Sequence, residues 1–444
     1  MAIVLARNNV SPARWVAFEI LTKVDKGHFS SVLLAGDAKR LEPSDRALCH
    51  ELVLGVLRRQ LYLDRCIEHF ANKKLEKLDR PVLLALRLAL YQLRFLTRIP
   101  ASAAVDEAVK LVQAVRLSSA RAFVNAVLRR ATRELNYDPT TELSNPIEKL
   151  SIETSHPQWL IERWVSSFGL EETERFARSN NDTPATAFRI IRSRANESKV
   201  VSRLRGAGVV LDSSRIAAGA WRTPTSSRVV RELAENGEIY LQDEASQMVA
   251  ELVEAQKNDR VLDLCSAPGG KATLIADRSE AFVVASDVSK RRLATVLRSV
   301  ETQNLKRVSL MVLDAMQSLP FEDATFDRVL VDAPCSGTGT LRHNPEIRWR
   351  LRPQDFARLA SQQAQFLQNA SKVLKVWGRL VYSTCSVELE ENEAVVTEFL
   401  KRNGGFKQVQ LRQSWALTSS ESLRTWPQRQ GTDGFFVAAF EKAQ

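Results

Sequence analysis

Two cysteines in the second half of the 444-residue chain have the surroundings of reactive thiols. Cys335 stands in the run DAPCSGTG and Cys385 in the run STCS, and these runs follow the apolar stretches DRVLV and GRLVY. A thiolate is a strong nucleophile, so a thiol at the end of a strand can attack a bound substrate. A single free cysteine is more often a small buried residue. Two cysteines after two strands that we expect to be close neighbours favour chemistry over packing.

A glycine-containing loop precedes both cysteines. The run DLCSAPGGK covers residues 263–271 and joins the apolar run RVL to a helical pattern. Open parallel sheets bind nucleotide-like ligands at this position. Gly269 and Gly270 have no Cβ and allow a ligand to come close to the backbone. Asp287 and Asp314 follow the next two apolar runs. Carboxylates placed there can accept hydrogen bonds from ribose hydroxyls and from an adenine amino group.

The same loop lacks the features that bind phosphate groups. It has neither the spacing of a P-loop nor the GxGxxG of dinucleotide-binding folds. An adenosine without phosphates fits such a loop, and we predict S-adenosylmethionine as the cofactor. No histidine is suitably spaced to complete a set of four zinc ligands with the cysteines, so we expect no metal.

Two thiols beside a methyl donor indicate methylation of a pyrimidine ring. Carbon 5 of cytosine or uracil is a poor nucleophile, but a thiolate that adds to C6 makes C5 reactive enough to take a methyl group. A base then removes the C5 proton, and the thiol is expelled. Asp332, the first residue of the DAPC run, can hydrogen-bond N3 and the exocyclic edge of the ring and stabilise the charge that develops there.

The elements that must position these residues fall into three predicted segments. Residues 241–444 alternate apolar strands with helices, which is typical of a Rossmann-like, doubly wound parallel sheet covered on both faces. GFKQVQL and GFFVAAFE close this sheet as an antiparallel pair. Residues 1–145 have helical periodicity throughout and predict an all-α domain. Residues 146–240 predict bridging helices followed by a small α+β module.

The charge of the chain favours an anionic macromolecule as its partner. The formal net charge is +11, and residues 1–145 contain 23 Lys and Arg against 15 Asp and Glu. Nucleic acid is the first expectation and an anionic membrane surface the second. No apolar run approaches the roughly 20 residues that a bilayer span needs, and the N-terminus does not have a secretory pattern. Five scattered cysteines indicate a reducing cytoplasm.

Several of these runs together resemble one known family. DLCSAPGGK, DAPCSGTGTLRHNPEIRW and STCSVELEENE closely resemble the Sun/Fmu family of RNA (cytosine-5) methyltransferases. EPSDRALCHELVLGVLRR, RIPASAAVDEAVKL and FVNAVLRR are similar to the NusB-type helical RNA-binding domain. The resemblance spans nearly the whole chain. It implies an enzyme that forms 5-methylcytosine in RNA, with 16S ribosomal RNA as the expected substrate.

The resemblance also implies roles for individual residues. By it, Cys385 is the nucleophile and Cys335 assists release of the product. The cofactor contacts that it implies are Cys265, Ser266, Ala267, Pro268, Gly269, Gly270, Lys271, Asp287, Asp314 and Asp332. Asp332 therefore has two proposed roles, beside the cofactor and beside the base, and the sequence does not rank them. Ser266 stands where alanine is more usual in the family.

The expected RNA must present an unpaired or flipped-out cytosine, because a paired base hides C5 and C6 from a thiol in a crevice. The loop RHNPEIRWR at residues 342–350 can stack a base or grip phosphates, or it can simply be a basic surface loop with a buried tryptophan. Three basic pairs in the helical segment are candidate phosphate contacts: Arg58-Arg59, Lys73-Lys74 and Arg129-Arg130. Each pair taken alone is more simply explained as a solvated face.

Three alternatives stay open from the sequence. The first is the same chemistry on transfer RNA, which the catalytic runs do not distinguish. The second is methylation of an amino group, which typically uses an Asp/Asn-Pro-Pro-Tyr motif and needs no covalent thiol. The third is a non-enzymatic RNA-binding factor of the antitermination type, which has no use for Cys335, Cys385 and the glycine loop together. The oligomeric state and the target cytosine are not determined by the sequence.

Overall fold

The computed structural model describes residues 10–224, 227–411 and 420–443. The chain divides into two compact units. The first contains residues 1–182 together with Leu341–Arg350, and the second contains Thr183–Thr340 and Leu351–Gln444. The segment that the sequence predicts as one bridging module, residues 146–240, is therefore divided between the two units.

Nineteen α-helices and twelve strands are found among the described residues. The helices are α1 Pro12–Asp25, α2 Ser30–Gly36, α3 Pro43–Arg58, α4 Gln60–Ala71, α5 Arg80–Phe95, α6 Ala101–Ala114, α7 Arg121–Arg133, α8 Pro146–Thr154, α9 Gln158–Phe168, α10 Leu170–Ser179, α11 Glu197–Gly206, α12 Arg228–Glu235, α13 Glu244–Leu252, α14 Gly270–Ser279, α15 Lys290–Thr302, α16 Ile347–Arg350, α17 Pro353–Val373, α18 Glu393–Arg402 and α19 Pro427–Gln430. The strands are β1 Thr186–Ile190, β2 Asp212–Ser213, β3 Ala220–Thr223, β4 Ile239–Leu241, β5 Arg260–Asp263, β6 Phe282–Asp287, β7 Val308–Val312, β8 Phe326–Asp332, β9 Leu374–Thr384, β10 Phe406–Gln408, β11 Ser422–Arg424 and β12 Phe436–Lys442.

The first unit is helical in its described part, and α5 lies at its centre. Eleven consecutive residues of α5, from Val82 to Gln92, are buried, because the helix is apolar on most sides and packs against α1, α3, α4, α6 and α7. One charged side chain within this run, Arg87, makes two hydrogen bonds of 2.7 Å to the Asp64 carboxylate. A buried charge requires such pairing. The prediction of an all-α N-terminal domain is confirmed.

Leu341–Arg350 is a separate stretch of chain that packs within the first unit. The Arg348 side chain is fully buried and donates to the backbone oxygens of Thr154 and Ser155 at 3.2 and 3.1 Å. Arg350 donates to three backbone oxygens in and after α1, the shortest at 2.6 Å. The suggestion that this loop grips RNA through its arginines is wrong for Arg348, which is fully buried, and the half-buried Arg350 directs its hydrogen bonds to backbone oxygens of the protein.

One of the three basic pairs is also held by the protein rather than displayed to solvent. Arg58 is buried and donates to the backbone oxygen of Arg342 at 2.7 Å. Arg59 donates to the backbone oxygen of Glu153 at 3.1 Å and lies over the Phe95 ring. Arg58 is therefore a structural residue, since burial keeps it away from RNA, whereas Arg59 is half-buried.

The second unit begins with a small antiparallel sheet in the order β2-β3-β1-β4. Its core is formed by Phe188 of β1, Leu204 of α11 and Leu233 of α12, which are fully buried. Arg189, the residue after Phe188, points to the other side. It donates to Thr273 of α14 and to Gln303 at 2.9 and 3.1 Å. The small sheet is thus tied to the helices that follow it.

The large sheet has the order β10-β12-β9-β8-β5-β6-β7, and β11 pairs with β12. Strands β9, β8, β5, β6 and β7 are parallel, and β12 is antiparallel to β9, β10 and β11. Val261 and Leu262, adjacent residues of β5, belong to different apolar clusters, one with α13–α15 and one with α17 and α18. Both faces are therefore covered, which explains the continuous apolar strands. The Rossmann-like prediction is confirmed.

Among the described residues, no helix combines the length and the apolar character that crossing a membrane would require.

Candidate active site

The carboxyl ends of four adjacent parallel strands place the expected site residues at one edge of the large sheet. Strand β5 ends at Asp263, β6 at Asp287, β8 at Asp332 and β9 at Thr384, directly before Cys385. These strands are neighbours in the order β9-β8-β5-β6. Parallel neighbours bring their carboxyl ends together, so residues distant in sequence converge here.

Asp332 is held by one residue from the glycine loop and one from the next strand. Its Oδ2 accepts a hydrogen bond from Lys271 Nζ at 2.6 Å, and its Oδ1 accepts one from Ser383 Oγ at 2.7 Å. Lys271 lies in the first turn of α14 and is almost completely buried. Burial alone would lower the pKa of the Lys271 ammonium, but Asp332 and Asp263 outweigh that effect and raise it. Lys271 therefore stays cationic and fixes the Asp332 carboxylate.

Asp263 is a buried acid with unused hydrogen-bonding capacity. It is 0% exposed, and neither of its carboxylate oxygens has a hydrogen-bond partner among the described residues. Burial, and next the negative charge of Asp332, raise the pKa of Asp263 to about 8. The Lys271 ammonium opposes this increase without cancelling it. A buried acid of this kind is often part of a ligand site. The sequence reasoning gave Asp263 no role of its own.

The other two predicted acids occupy different environments. Asp287 is buried, accepts from the Ser289 backbone N–H at 2.9 Å and lies 3.3 Å from the Arg292 guanidinium. Asp314 is exposed, lies two residues beyond the end of β7 and accepts from the Met316 backbone N–H at 2.9 Å. Asp287 is thus fixed by the protein at the sheet edge, whereas Asp314 is solvent-accessible beside it.

The glycine loop joins β5 to α14 as expected. Cys265, Ser266, Ala267 and Pro268 form the turn, and Gly270 opens the helix. Gly269 has φ of +103°, a conformation that favours glycine, and a Cβ there would lie 3.0 Å from Val296 Cγ1. A Cβ on Gly270 would lie 3.1 Å from Gln242 Nε2. The backbone conformation thus favours glycine at position 269, and at both positions a Cβ would require a neighbouring side chain to shift by a few tenths of an ångström.

The two predicted catalytic thiols lie side by side. Cys335 Sγ and Cys385 Sγ are 3.3 Å apart, and both cysteines are free and partly accessible. The hydrogen bond with Cys385, and next burial, raise the pKa of the Cys335 thiol well above its usual range. Burial, and next Asp263, also raise the pKa of Cys265, the third cysteine at this edge. Cys335 therefore keeps its proton and can donate it to the neighbouring sulfur.

The sequence reasoning also missed Glu391, which connects the two cysteine loops. Its buried carboxylate accepts hydrogen bonds from Ser336 and Ser386, the residues that follow Cys335 and Cys385. Glu391 stands in the acidic run ELEENE, which is typical of a solvated surface. Its position in an otherwise specific motif is the only signal in the sequence for a special role.

The sheet edge fits a cationic, nucleoside-like cofactor. S-adenosylmethionine carries a sulfonium and an ammonium group, and the buried carboxyl of Asp263 at the start of the glycine loop can ionise when such a cation lies beside it. Asp287, at the end of the adjacent strand β6, is placed where nucleotide-type folds hold a ribose. The donor set thus suits the cofactor predicted from the sequence.

Comparison with known proteins agrees with this geometry. Residues 250–441 match the family described as 16S rRNA methyltransferase RsmB/F, residues 11–133 match the NusB family, and residues 156–222 match the ferredoxin-like domain of the RsmF/B-like methyltransferases. A probable ribosomal RNA small subunit methyltransferase B from Bacillus subtilis is 32% identical over 97% of this chain and 98% of its own length. The chain belongs to the RsmB/F methyltransferase family. The predictions of an S-adenosylmethionine-dependent RNA methyltransferase and of a NusB-like domain are thereby confirmed.

Other members and solved structures extend the RsmB/F similarity along the chain. The ribosomal RNA small subunit methyltransferase B of Pseudomonas putida is 32% identical over 92% of this chain and 93% of its own. The crystal structure of PH0851 is 27% identical with a TM-score of 0.83 and covers 98% of this chain and 100% of that one. A methyltransferase homologue from Pyrococcus horikoshii is 25% identical with a TM-score of 0.59, over 68% of this chain and 100% of its own. The three-part fold of this RsmB/F member is therefore shared across nearly its whole length.

Proposed function

We propose that this enzyme methylates carbon 5 of a cytosine in 16S ribosomal RNA through a covalent bond between Cys385 Sγ and carbon 6 of the base. The observation that carries the proposal is the 3.3 Å separation of the two sulfur atoms of Cys335 and Cys385 beside the fixed carboxylate of Asp332. A simple methyl transfer to an amino group requires no pair of thiols.

Each step assigns a task to a residue of the chain. The Cys385 thiolate attacks C6, the C5–C6 double bond opens, and electron density accumulates at C5. Asp332, held by Lys271 and Ser383, accepts a hydrogen bond from the ring when N3 is protonated and stabilises the charge there. S-adenosylmethionine, held by the loop from Cys265 to Lys271 with Asp287 and Asp314, supplies the methyl group. Asp332 borders this loop as well.

Release of the product restores the aromatic ring. A base removes the proton from C5, the electrons of that bond re-form the C5–C6 double bond, and the C6–sulfur bond breaks. Cys335 assists this step because its protonated thiol lies within hydrogen-bonding distance of the departing Cys385 sulfur.

The choice of RNA rests on the relatives and on charge. The Bacillus subtilis and Pseudomonas putida relatives are named for the small ribosomal subunit RNA, and residues 1–145 have a surplus of eight positive charges. We propose residues 1–145 as the RNA-binding domain, residues 146–240 as the bridging and recognition module, and residues 241–444 as the catalytic domain. The enzyme would act in the cytoplasm on an unpaired or flipped-out cytosine. Transfer RNA is the alternative substrate.

Two cysteine variants test the mechanism. Cys385→Ala is expected to lose methyl transfer while keeping cofactor binding, and Cys335→Ala is expected to accumulate a protein–RNA adduct that migrates slowly on a denaturing gel. Turnover by Cys385→Ala would exclude it as the nucleophile. Bisulfite sequencing of cellular RNA with and without the gene identifies the methylated cytosine, and a target in transfer RNA would replace the ribosomal assignment.

A further inference from the structure

Glu391 is a fully buried carboxylate whose two oxygens both accept hydrogen bonds from neighbouring loops. Its Oε1 accepts from the Ser336 backbone N–H at 2.9 Å and from Gln363 Nε2 at 3.0 Å. Its Oε2 accepts from Ser336 Oγ and from Ser386 Oγ, both at 2.5 Å. A buried carboxylate is costly to maintain unless its acceptor sites are filled. A buried carboxylate at this position therefore indicates a function that offsets its cost.

The contacts of Glu391 lie next to the two thiols. Ser336 is the neighbour of Cys335 and Ser386 the neighbour of Cys385, and one oxygen atom accepts hydrogen bonds from both hydroxyls. Gln363 of α17, which donates to the same carboxylate, also donates to the backbone oxygen of Pro334 at 3.0 Å. The carboxylate thus joins the two cysteine loops within one residue of each sulfur.

Several contacts between these loops do not involve Glu391, and one of them is the 3.0 Å separation of the Ser336 and Ser386 hydroxyl oxygens. The Gly339 backbone N–H donates to the Cys385 backbone oxygen at 2.9 Å, and the Val387 backbone N–H donates to Thr338 Oγ1 at 3.1 Å. These bonds keep the loops together as a whole. Glu391 accepts from both the backbone N–H and the hydroxyl of Ser336 but only from the hydroxyl of Ser386, so it holds the Cys335 loop with more hydrogen bonds than the Cys385 loop.

We propose that Glu391 is a positioning residue that holds the Cys335 thiol against Cys385, so that release of the methylated base depends on it more than the initial attack does. The proposal rests on the function proposed above. Attack needs only Cys385, whereas release needs both sulfur atoms about 3.3 Å apart. Displacing a reacting group by about 1 Å can slow a step on the order of a hundredfold. Weakening the hydrogen bonds of Glu391 is therefore expected to slow mainly the release step.

The test separates the two steps in the full-length enzyme. Glu391→Gln keeps the shape of the side chain but replaces one acceptor oxygen by an NH2 donor, so the hydrogen bonds to one of the two carboxylate oxygens are lost. With an RNA substrate and saturating S-adenosylmethionine, rapid quench on denaturing gels follows formation and decay of the adduct. We expect adduct decay to slow at least about tenfold, adduct to accumulate at steady state, and kcat/KM for RNA to stay near that of the wild type, because binding and attack are unchanged. Glu398→Gln on α18, a half-exposed carboxylate paired with Arg402, is the matched control.

A second variant tests the same proposal if Glu391→Gln does not fold. Ser336→Ala leaves the carboxylate intact and removes one of its hydroxyl donors, and we expect a smaller effect in the same direction. Decay of the adduct at the wild-type rate in every variant that folds would overturn the positioning role of Glu391. If Cys335→Ala traps an adduct and these variants do not, only this inference fails. If Cys335→Ala traps none and Cys385→Ala still turns over, the proposed function fails.

The first unit has a strongly basic region in and around α6 and α7. Residues 98–133 contain seven Lys and Arg against two Asp and Glu, and α7 has four arginines and no acid. The side chains of Arg98, Arg116, Arg121 and Arg133 are exposed and have no hydrogen-bond or ion-pair partner in the described part of the chain. Every other described arginine of this unit has a protein partner. The unpaired arginines therefore collect at the ends of α6 and along α7.

The same helices border an open groove of about 800 Å³. Its polar lining includes Ser102, Ser118, Ser119, Arg121, Asn125 and Arg129. Hydroxyl, amide and guanidinium groups are the side chains that commonly contact phosphate and sugar. One acid of the lining, Asp106, is already paired with Lys110 at 2.7 Å. The unpaired charge that remains in the groove is positive.

We infer that the groove between α6 and α7 binds the sugar-phosphate backbone of the RNA substrate, which assigns a surface to the RNA-binding role proposed for residues 1–145. A triple variant with Arg121, Arg129 and Arg133 changed to Gln tests it by fluorescence anisotropy with substrate RNA over a range of KCl concentrations. Loss of three phosphate contacts lowers the slope of log affinity against log salt by roughly two. The KM for RNA should rise, while turnover at saturating RNA is retained.

The control removes the same charge from elsewhere on the first unit. Arg65, Arg175 and Arg178 are ion-paired with glutamates of their own helices. Changing these three to Gln should leave the salt slope close to that of the wild type. Equal slopes for the two triple variants, or an unchanged slope for the α7 variant, would overturn the inference and leave a protein partner as the explanation of the basic groove. Cys335→Ala adduct formation, measured beside it, reports independently on the catalytic proposal.

Discussion

Replacing Asp263 by asparagine should make the free enzyme more stable at alkaline pH and weaker in cofactor binding. Asp263 ends β5, is 0% exposed and has no hydrogen-bond partner for either oxygen in the described part of the protein. Its pKa is raised to about 8, chiefly by burial and next by Asp332. Asparagine has nearly the same shape and does not ionise, so Asp263→Asn removes the charge and little else.

The direction and size of the effect follow from proton linkage. An acid whose pKa is higher in the folded than in the unfolded chain, where it is about 4, favours folding most when protonated. Stability is therefore lost as pH rises from about 4 to about 8. The change between pH 5 and pH 8 amounts to roughly 3.6 kcal/mol at about 1.4 kcal/mol per pH unit, because half of Asp263 is still protonated at pH 8. The Asp263→Asn variant is free of this loss, so its advantage over the wild type should grow with pH.

Scanning calorimetry at pH 5, 6, 7 and 8 measures that advantage as the difference between the melting temperatures of the two proteins. Isothermal titration with S-adenosylmethionine at pH 8, where about half of Asp263 is ionised, is expected to show weaker binding by the variant, because asparagine cannot ionise beside the cationic cofactor. Asp332→Asn is the control: it leaves the buried Lys271 without its ion-pair partner and should not stabilise the protein. A melting-temperature difference that is constant from pH 5 to pH 8 would refute the assignment of Asp263 as a buried acid with a raised pKa.

Three further substitutions test other parts of the structure. Gly339→Ala should prevent formation of active enzyme, because the new Cβ would lie 1.9 Å from the Gly434 backbone oxygen. Soluble yield and methyl-transfer activity measure the effect. Gly404→Ala is the control and should be tolerated, because no atom lies within 4 Å of a Cβ placed there. Arg348→Met should destabilise the first unit by roughly 3 kcal/mol, since it leaves buried backbone oxygens unpaired; a urea midpoint equal to that of the wild type would contradict the buried role. Lys271→Met should lower the rate of methyl transfer at least about a hundredfold, because Asp332 loses the cation that fixes it; normal single-turnover rates would remove Lys271 from the mechanism.

Much of the fold and the pairing of the thiols could be predicted from the sequence. The continuous apolar runs before Asp263, Asp287 and Asp332 indicate parallel strands buried on both faces, and such strands bring their ends together. That rule is sufficient to place Cys335 near Cys385, and the structure has them 3.3 Å apart. Long periodic helices such as α5 are equally clear from the sequence.

The features that could not be predicted depend on contacts between residues that are distant in sequence. Glu391 stands in a run of acids that is typical of a solvated helix start, yet it is buried because two serines from different loops donate to its oxygens. Arg348 stands in a basic loop that suggests RNA contact, yet its guanidinium donates hydrogen bonds to the backbone oxygens of Thr154 and Ser155. Residue type and local spacing do not distinguish a surface charge from a buried one when its partners are distant in sequence.

The most direct test of the covalent mechanism is mass spectrometry of Cys335→Ala protein incubated with substrate RNA and S-adenosylmethionine, then digested with nuclease and protease. We expect a methylated cytidine nucleotide attached to the peptide that contains Cys385, and no such adduct in the double variant that also has Cys385→Ala. Attachment to a different residue, or methylated RNA without any adduct while Cys385→Ala remains active, would contradict the covalent role of Cys385.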